Sequence, residues 1–206
     1  MNYTNLIFTI ISIHLLATIS PGPDFIMTIK NSLNYGRKIG IFTAIGIGLG
    51  IGVHILYCAL GLALVISKSI ILFNTIKILG ALYLIYIGIL SFKSKGIDIN
   101  ITQEKATISK FQAFKMGFLT NVLNPKATLF FLSLFTFILS PSTPIHILLL
   151  IALILIADTI LWFIFVSLLF TQSRIQIFFS KIQKTFNKIF GGILIAIGVK
   201  IIFNKN

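Results

Sequence analysis

Acidic residues are scarce in this chain: four Asp and Glu stand against seventeen Lys and Arg over 206 residues, and charged residues make up only 10% of the total. A soluble domain of that length must cover its core with polar side chains, so a soluble globular fold is excluded. Cysteine occurs once, as Cys58, which allows no intrachain disulfide and leaves neither a zinc cluster nor a redox pair. The sequence has no H-E-x-x-H, no G-x-S-x-G and no phosphate-binding P-loop. Nothing therefore points to an enzyme, to ATP hydrolysis or to a cofactor. A polar stretch long enough for a separate soluble domain is missing too.

What is present is apolar. The hydrophobic fraction is 57% and the mean hydropathy +1.04. The apolar residues run in blocks rather than stripes, as transmembrane helices require. Six segments are expected, at 5–29, 41–66, 69–92, 115–139, 145–170 and 187–204. The first reads as a retained helix rather than a leader, since the first basic residue is Lys30 and "ATIS" is a poor cleavage site. The whole chain, 1–206, reads as one all-α transmembrane domain: half one at 1–92, a polar hinge loop at 93–114, and half two at 115–206.

The net charge of +13 would suggest nucleic acid in a soluble protein. Here the bases gather in alternate loops: Lys30, Arg37 and Lys38; Lys93, Lys95, Lys105, Lys110 and Lys115; Arg174, Lys181, Lys184 and Lys188. The other side holds only Lys68 and Lys205. The bias predicts loops 1–2, 3–4 and 5–6 in the cytoplasm and both termini outside, with lipid headgroups and not nucleic acid as the partner.

Three helices per half is an odd number, so the second half runs opposite to the first. Inverted repeats carry interrupted helices at matching places. The first segment is interrupted at Ser20-Pro21-Gly22-Pro23-Asp24 and the fourth at Asn124-Pro125-Lys126. Proline lacks an N–H and clashes with the carbonyl four residues back. Pro21 and Pro23 are thus expected to free the carbonyls of Ala17 and Ile19, and Pro125 that of Asn121. Ser20 and Asn124 suit N-caps, with Pro21 and Pro125 at the first helical position. Each restarted helix would present its N-terminal dipole in the membrane, a site for a carboxylate. Asp24 and Lys126 are expected to approach each other, since an unpartnered charge at mid-bilayer costs about 2.5–3.5 kcal/mol. Such a site suits a zwitterion.

Other polar residues lie inside the spans. Asp158, with Trp162 one turn on, is a candidate proton carrier or cation partner, or an acid bonded to a nearby Thr or Asn. His54 is a candidate proton relay, though a lone helical His more often packs. Lys77 and Lys200 are expected to snorkel. Gly46, Gly48, Gly50 and Gly52 form two overlapping G-x-x-x-G spacings, fit for a homodimer or an internal contact. Tyr83 and Tyr86 line a cavity or pack.

The pieces "SPGPDF", "NYGRKIGIFTAIGIGLGIGVH", "IKILGALYLIYIG" and "FKMGFLTNVLNPKATLFF" resemble the LysE/RhtB family of amino-acid exporters, in that family's order and spacing over nearly the whole chain. The resemblance implies an inner-membrane secondary transporter that exports amino acids or close derivatives by proton antiport. Its translocation residues would be Ser20, Pro21, Gly22, Pro23, Asp24, Asn121, Asn124, Pro125, Lys126 and Asp158, with a proton on Asp24 or Asp158. The alternatives are a passive channel for a small polar solute and a non-transporting membrane subunit.

Overall fold

The computed structural model describes residues 3–94, 107–138 and 143–203. Most of the expected hinge loop, 95–106, lies outside the described residues. Eight helices are present and no strand among the described residues: α1 Tyr3–Ile19, α2 Pro23–Tyr35, α3 Arg37–Lys68, α4 Ile70–Lys93, α5 Lys110–Val122, α6 Pro125–Ile138, α7 Ile145–Leu169 and α8 Ser173–Phe203.

Both expected breaks are there. The first segment divides into α1 and α2, bent by 57° and together long and apolar enough for one crossing. The fourth divides into α5 and α6 around Leu123 and Asn124. The helices α3, α4, α7 and α8 are each long and apolar enough to cross alone. Two helices outrun their apolar blocks. Helix α5 begins at Lys110 because Ser109 caps it: Ser109 Oγ accepts from Gln112 N at 3.1 Å while Gln112 Oε1 accepts from Ser109 N at 3.5 Å. Helix α8 begins at Ser173, since its basic first half is helical although only its second half is a continuous apolar block. Between α3 and α4 stands Ser69, whose Oγ accepts from Leu72 N at 3.2 Å.

Large apolar side chains face outward: Phe8, Ile71, Leu153 and Leu161 are each at least 67% exposed. In water such a surface would aggregate; in lipid it is the solvent-facing side. The chain is a multi-pass membrane protein.

Glycines set the close packing of the bundle. The two spacings in α3 serve different neighbours. A Cβ at Gly46 would strike the carbonyl oxygen of Phe114 on α5, and one at Gly50 the side chain of Asn121. A Cβ at Gly48 would strike Ile160 on α7, with Gly52 against Ile156 of the same helix. Both stripes are thus covered within the chain. Gly36, between α2 and α3, has φ +89°, where L side chains are strained.

Two apolar clusters result. One joins α1, α3, α4, α6, α7 and α8 through residues such as Ile10, Ile55, Leu84, Phe135, Leu155 and Leu194. The other joins α2, α3 and α7 through Phe25, Ile29, Ile47 and Phe163. The two breaks lie where these clusters meet.

Candidate functional site: a polar cavity between two broken helices

Each restarted helix carries its charge at the second position, Asp24 in α2 and Lys126 in α6. The details of the two restarts differ. At the second break Pro125 is the first helical residue, and Asn124 Oδ1 accepts from Lys126 N at 3.0 Å, as expected of an N-cap. At the first break the expectation is corrected. The helix restarts at Pro23, with extended Gly22 as N-cap and no capping side chain. Ser20 is drawn to other work: Lys126 Nζ donates to its Oγ at 3.1 Å and to its carbonyl at 3.3 Å.

Asp24 is held from the opposite break. Asn121 Nδ2 and Asn124 Nδ2 each donate to Asp24 Oδ2 at 3.0 Å. The second carboxylate oxygen, Oδ1, is buried with no hydrogen-bond partner among the described residues, and so is Asn121 Oδ1. Asp24 and Lys126 make no direct ion pair with each other. They line one cavity of about 460 Å³ together with Ser20, Gly22, Asn121 and Asn124, walled by Phe25, Phe130, Phe131 and Phe163. Lys126 Nζ also sits over the ring of Phe190 on α8, 5.3 Å from its centroid. A Cβ at Gly22 would lie 3.4 Å from Nζ, in ordinary van der Waals contact.

A second cavity, of about 570 Å³, shares Ser20, Gly22 and Lys126 with the first and is lined by Pro21 and Pro23 as well. It extends past Leu90 and Ser91 to Ser94 and Asn187, beside the end of α4 that carries Lys93. Lys126 thus lines both cavities.

The carbonyl freed by Pro125 has found partners. Asn121 O accepts from Asn124 N at 2.9 Å and from His54 Nε2 at 2.9 Å. Since a carbonyl only accepts, Nε2 carries the proton, and Nδ1 accepts from the Tyr57 hydroxyl at 2.6 Å. Both ring nitrogens of His54 are therefore engaged in holding the break. His54 lines neither cavity. Pro125 lines neither cavity, and its carbonyl accepts from Tyr83 Oη at 3.4 Å.

Asp158 lines neither cavity. Its Oδ2 pairs with His14 Nδ1 at 2.8 Å, rather than with a Thr or Asn. His14 does line the cavity, as do Thr18 and Thr159. Sequence reasoning did not single out His14. The signal was indirect: a mid-membrane acid needs a partner, and the chain has three histidines to offer. Trp162, expected on the face of Asp158, keeps a buried Nε1 with no partner among the described residues.

A bundle of apolar helices, two of them broken, with Asp24 and Lys126 from the two breaks lining one cavity, is the architecture of a multi-pass membrane protein with polar groups at its centre. The chain belongs to the LysE type translocator family, whose model matches residues 15–205. Among its relatives, the threonine efflux protein of Escherichia coli (strain K12) is 28% identical over 97% of this chain and 98% of its own. An uncharacterised membrane protein, YrhP, of Bacillus subtilis (strain 168) is 36% identical over 92% of this chain and 95% of its own. The homoserine/homoserine lactone efflux protein of Salmonella typhimurium (strain LT2) is 34% identical over 58% of each chain. No solved structure matches the chain.

Proposed function

We propose that this protein exports a small amino acid or close derivative across the cytoplasmic membrane, driven by proton entry. The observation that carries the reading is the state of the two charges. Asp24 and Lys126 share a cavity, each is held by neutral groups, and they make no direct ion pair. An α-amino acid bridges such a gap. Its ammonium meets Asp24 Oδ1 and Asn121 Oδ1; its carboxylate meets Lys126 and the N-terminus of α6. The names of the efflux relatives agree with this chemistry.

The architecture proposed is six spans in two inverted halves: α1–α2, α3 and α4, then α5–α6, α7 and α8. Three packing pairs support it with mirror partners, whereas α2 on α3, α4 on α6 and α3 on α4 have no comparable mirror contact among the described residues. Helix α3 packs on α5 as α7 does on α1; α3 meets α6 as α7 meets α2; α2 meets α5 as α6 meets α1. Following the charge bias, the second cavity opens to the cytoplasm beside Ser94 and Asn187, and the amino acid enters there and meets Lys126 first.

His54 is a positioning residue in this account. His54→Phe removes one donor from Asn121 O, which keeps its bond from Asn124 N, so the expected loss is about 1 kcal/mol of stability. It is read as a lower melting temperature, with the pH profile of transport unchanged. A shifted pH profile would make His54 a proton relay instead.

The test of the function is export from cells lacking their own amino-acid exporters and loaded by dipeptide feeding. All amino acids are followed inside and outside by mass spectrometry, with and without a protonophore. Protonophore-sensitive efflux of particular amino acids is expected. Efflux insensitive to the protonophore would indicate a passive channel, and no efflux from well-expressed protein would indicate a non-transporting subunit.

A further inference from the structure

We infer that His14 and Asp158 form the proton-carrying pair of this transporter, separate from the substrate charges Asp24 and Lys126. The inference rests on the exporter reading and divides its labour: one acid for the ammonium, the other for the coupling proton.

The geometry begins with the ring. His14 is buried and its Nδ1 faces Asp158 Oδ2 at 2.8 Å. Its Nε2 faces the hydroxyls of Thr159 at 3.4 Å and Thr18 at 3.5 Å. Those hydroxyls spend their protons elsewhere. Thr18 Oγ1 donates to His14 O at 2.8 Å and Thr159 Oγ1 to Leu155 O at 2.9 Å. Only oxygen lone pairs are left facing Nε2, and only a carboxylate faces Nδ1. Both nitrogens therefore meet acceptors, an environment that fits the doubly protonated ring beside an ionised Asp158.

The proton balance is simple. Without the proton, neutral His14 and ionised Asp158 carry one negative charge between them. One proton taken from water makes His14 an imidazolium and the pair neutral; releasing it restores the negative charge. Asp158 keeps 19% side-chain exposure and His14 2%, and of the two only His14 lines the cavity, so the proton reaches the pair from the His14 side.

Other titratable groups lie near the pair; one, Lys200 on α8, lines a separate cavity with Ile13 and Phe130. From α2 and α6, Asp24 and Lys126 line the same cavity but are bonded to Asn121, Asn124 and Ser20. From α3, His54 lies across the ring of Phe131, 5.8 Å from it, with both nitrogens engaged.

The connection between the two sites is mechanical. Helix α6 carries Lys126 and also Phe130 and Phe131, whose rings lie 6.2 and 5.7 Å from that of His14. The α1–α2 break joins His14 to Asp24. A substrate that shifts α6 or α2 thereby moves the surroundings of His14.

The experiment uses the full chain in proteoliposomes, with radiolabelled threonine as first probe and the other common amino acids after it. Two readouts are compared: exchange at equal pH on both sides, and accumulation driven by an imposed pH gradient. His14→Gln keeps an amide donor for Asp158 and removes the proton site. Because His14 also lines the cavity, exchange is expected to fall, but by no more than about tenfold, and nothing is expected to accumulate against a gradient. Asp158→Asn, a second variant, is expected to lose gradient-driven accumulation too. Gradient-driven accumulation at the wild-type level in either variant overturns the inference. So does loss of exchange in His14→Gln protein that melts like wild type, which would place His14 in the substrate site. Wild-type protein that exchanges no amino acid refutes the exporter reading, and the inference falls with it.

Discussion

Asp24→Asn is expected to lower amino-acid efflux by about 100-fold with the protein still at its normal level in the membrane. The substitution is nearly isosteric. The new amide oxygen takes the place of Oδ2 and still accepts from Asn121 and Asn124, so the link between the two breaks survives. The amide nitrogen then occupies the place of Oδ1, the buried oxygen that has no partner among the described residues. An acceptor for the ammonium has become a donor, and the negative charge is gone. The loss of one or two charge-assisted hydrogen bonds, about 1.5–3 kcal/mol each, accounts for the size of the effect. Quantitative immunoblotting of membranes beside the efflux rate checks it. Reduced protein with an unchanged rate per molecule would make Asp24 a structural residue.

Lys126→Met is expected to abolish discrimination between an amino acid and its amide. Methionine keeps an apolar stem against Phe190 and the space beside Gly22. It removes the ammonium that holds Ser20, and with it the group proposed to hold the carboxylate. Wild-type protein should prefer threonine to threoninamide by about tenfold to 100-fold, the worth of one charge-assisted contact. The variant should move both poorly and at similar rates. Competition of each compound against labelled substrate in proteoliposomes gives the ratio. A variant that keeps the wild-type preference would place the carboxylate elsewhere.

Much of the fold was legible in the sequence because lipid allows few solutions. Apolar blocks must be helices, and proline leaves an unmistakable mark in them. Pro125 after Asn124 gave the second restart to the residue. The first restart was expected at Pro21 with Ser20 as its cap, but the helix restarts two residues later, at Pro23 with Gly22 as cap. The choice of Pro23 goes with a tertiary contact, the hydrogen bonds from Lys126 to Ser20, which lies 106 residues away. The basic first half of α8 was missed for the opposite reason. Its apolar residues form a stripe rather than a block, and a search for spans passes over it.

The site was legible as a set of charges and not as a geometry. Asp24 and Lys126 do flank one cavity, but the sequence offered them to each other as a pair. In the structure amides hold Asp24 and a serine holds Lys126, with no direct ion pair between the two. The missing piece was His14, whose partner Asp158 is 144 residues away. No local spacing announces such a pair; only the physical demand of a buried acid does.

The central claim is that the cavity binds both ends of a zwitterion at once. The most direct test is calorimetric titration of the purified protein with the common amino acids. The tightest binder is then repeated as its methyl ester, which lacks the carboxylate, and as its N-acetyl form, which lacks the ammonium. The expected result is binding of the intact amino acid alone, lost in Asp24→Asn. Binding of either derivative within about threefold of the parent would contradict the account.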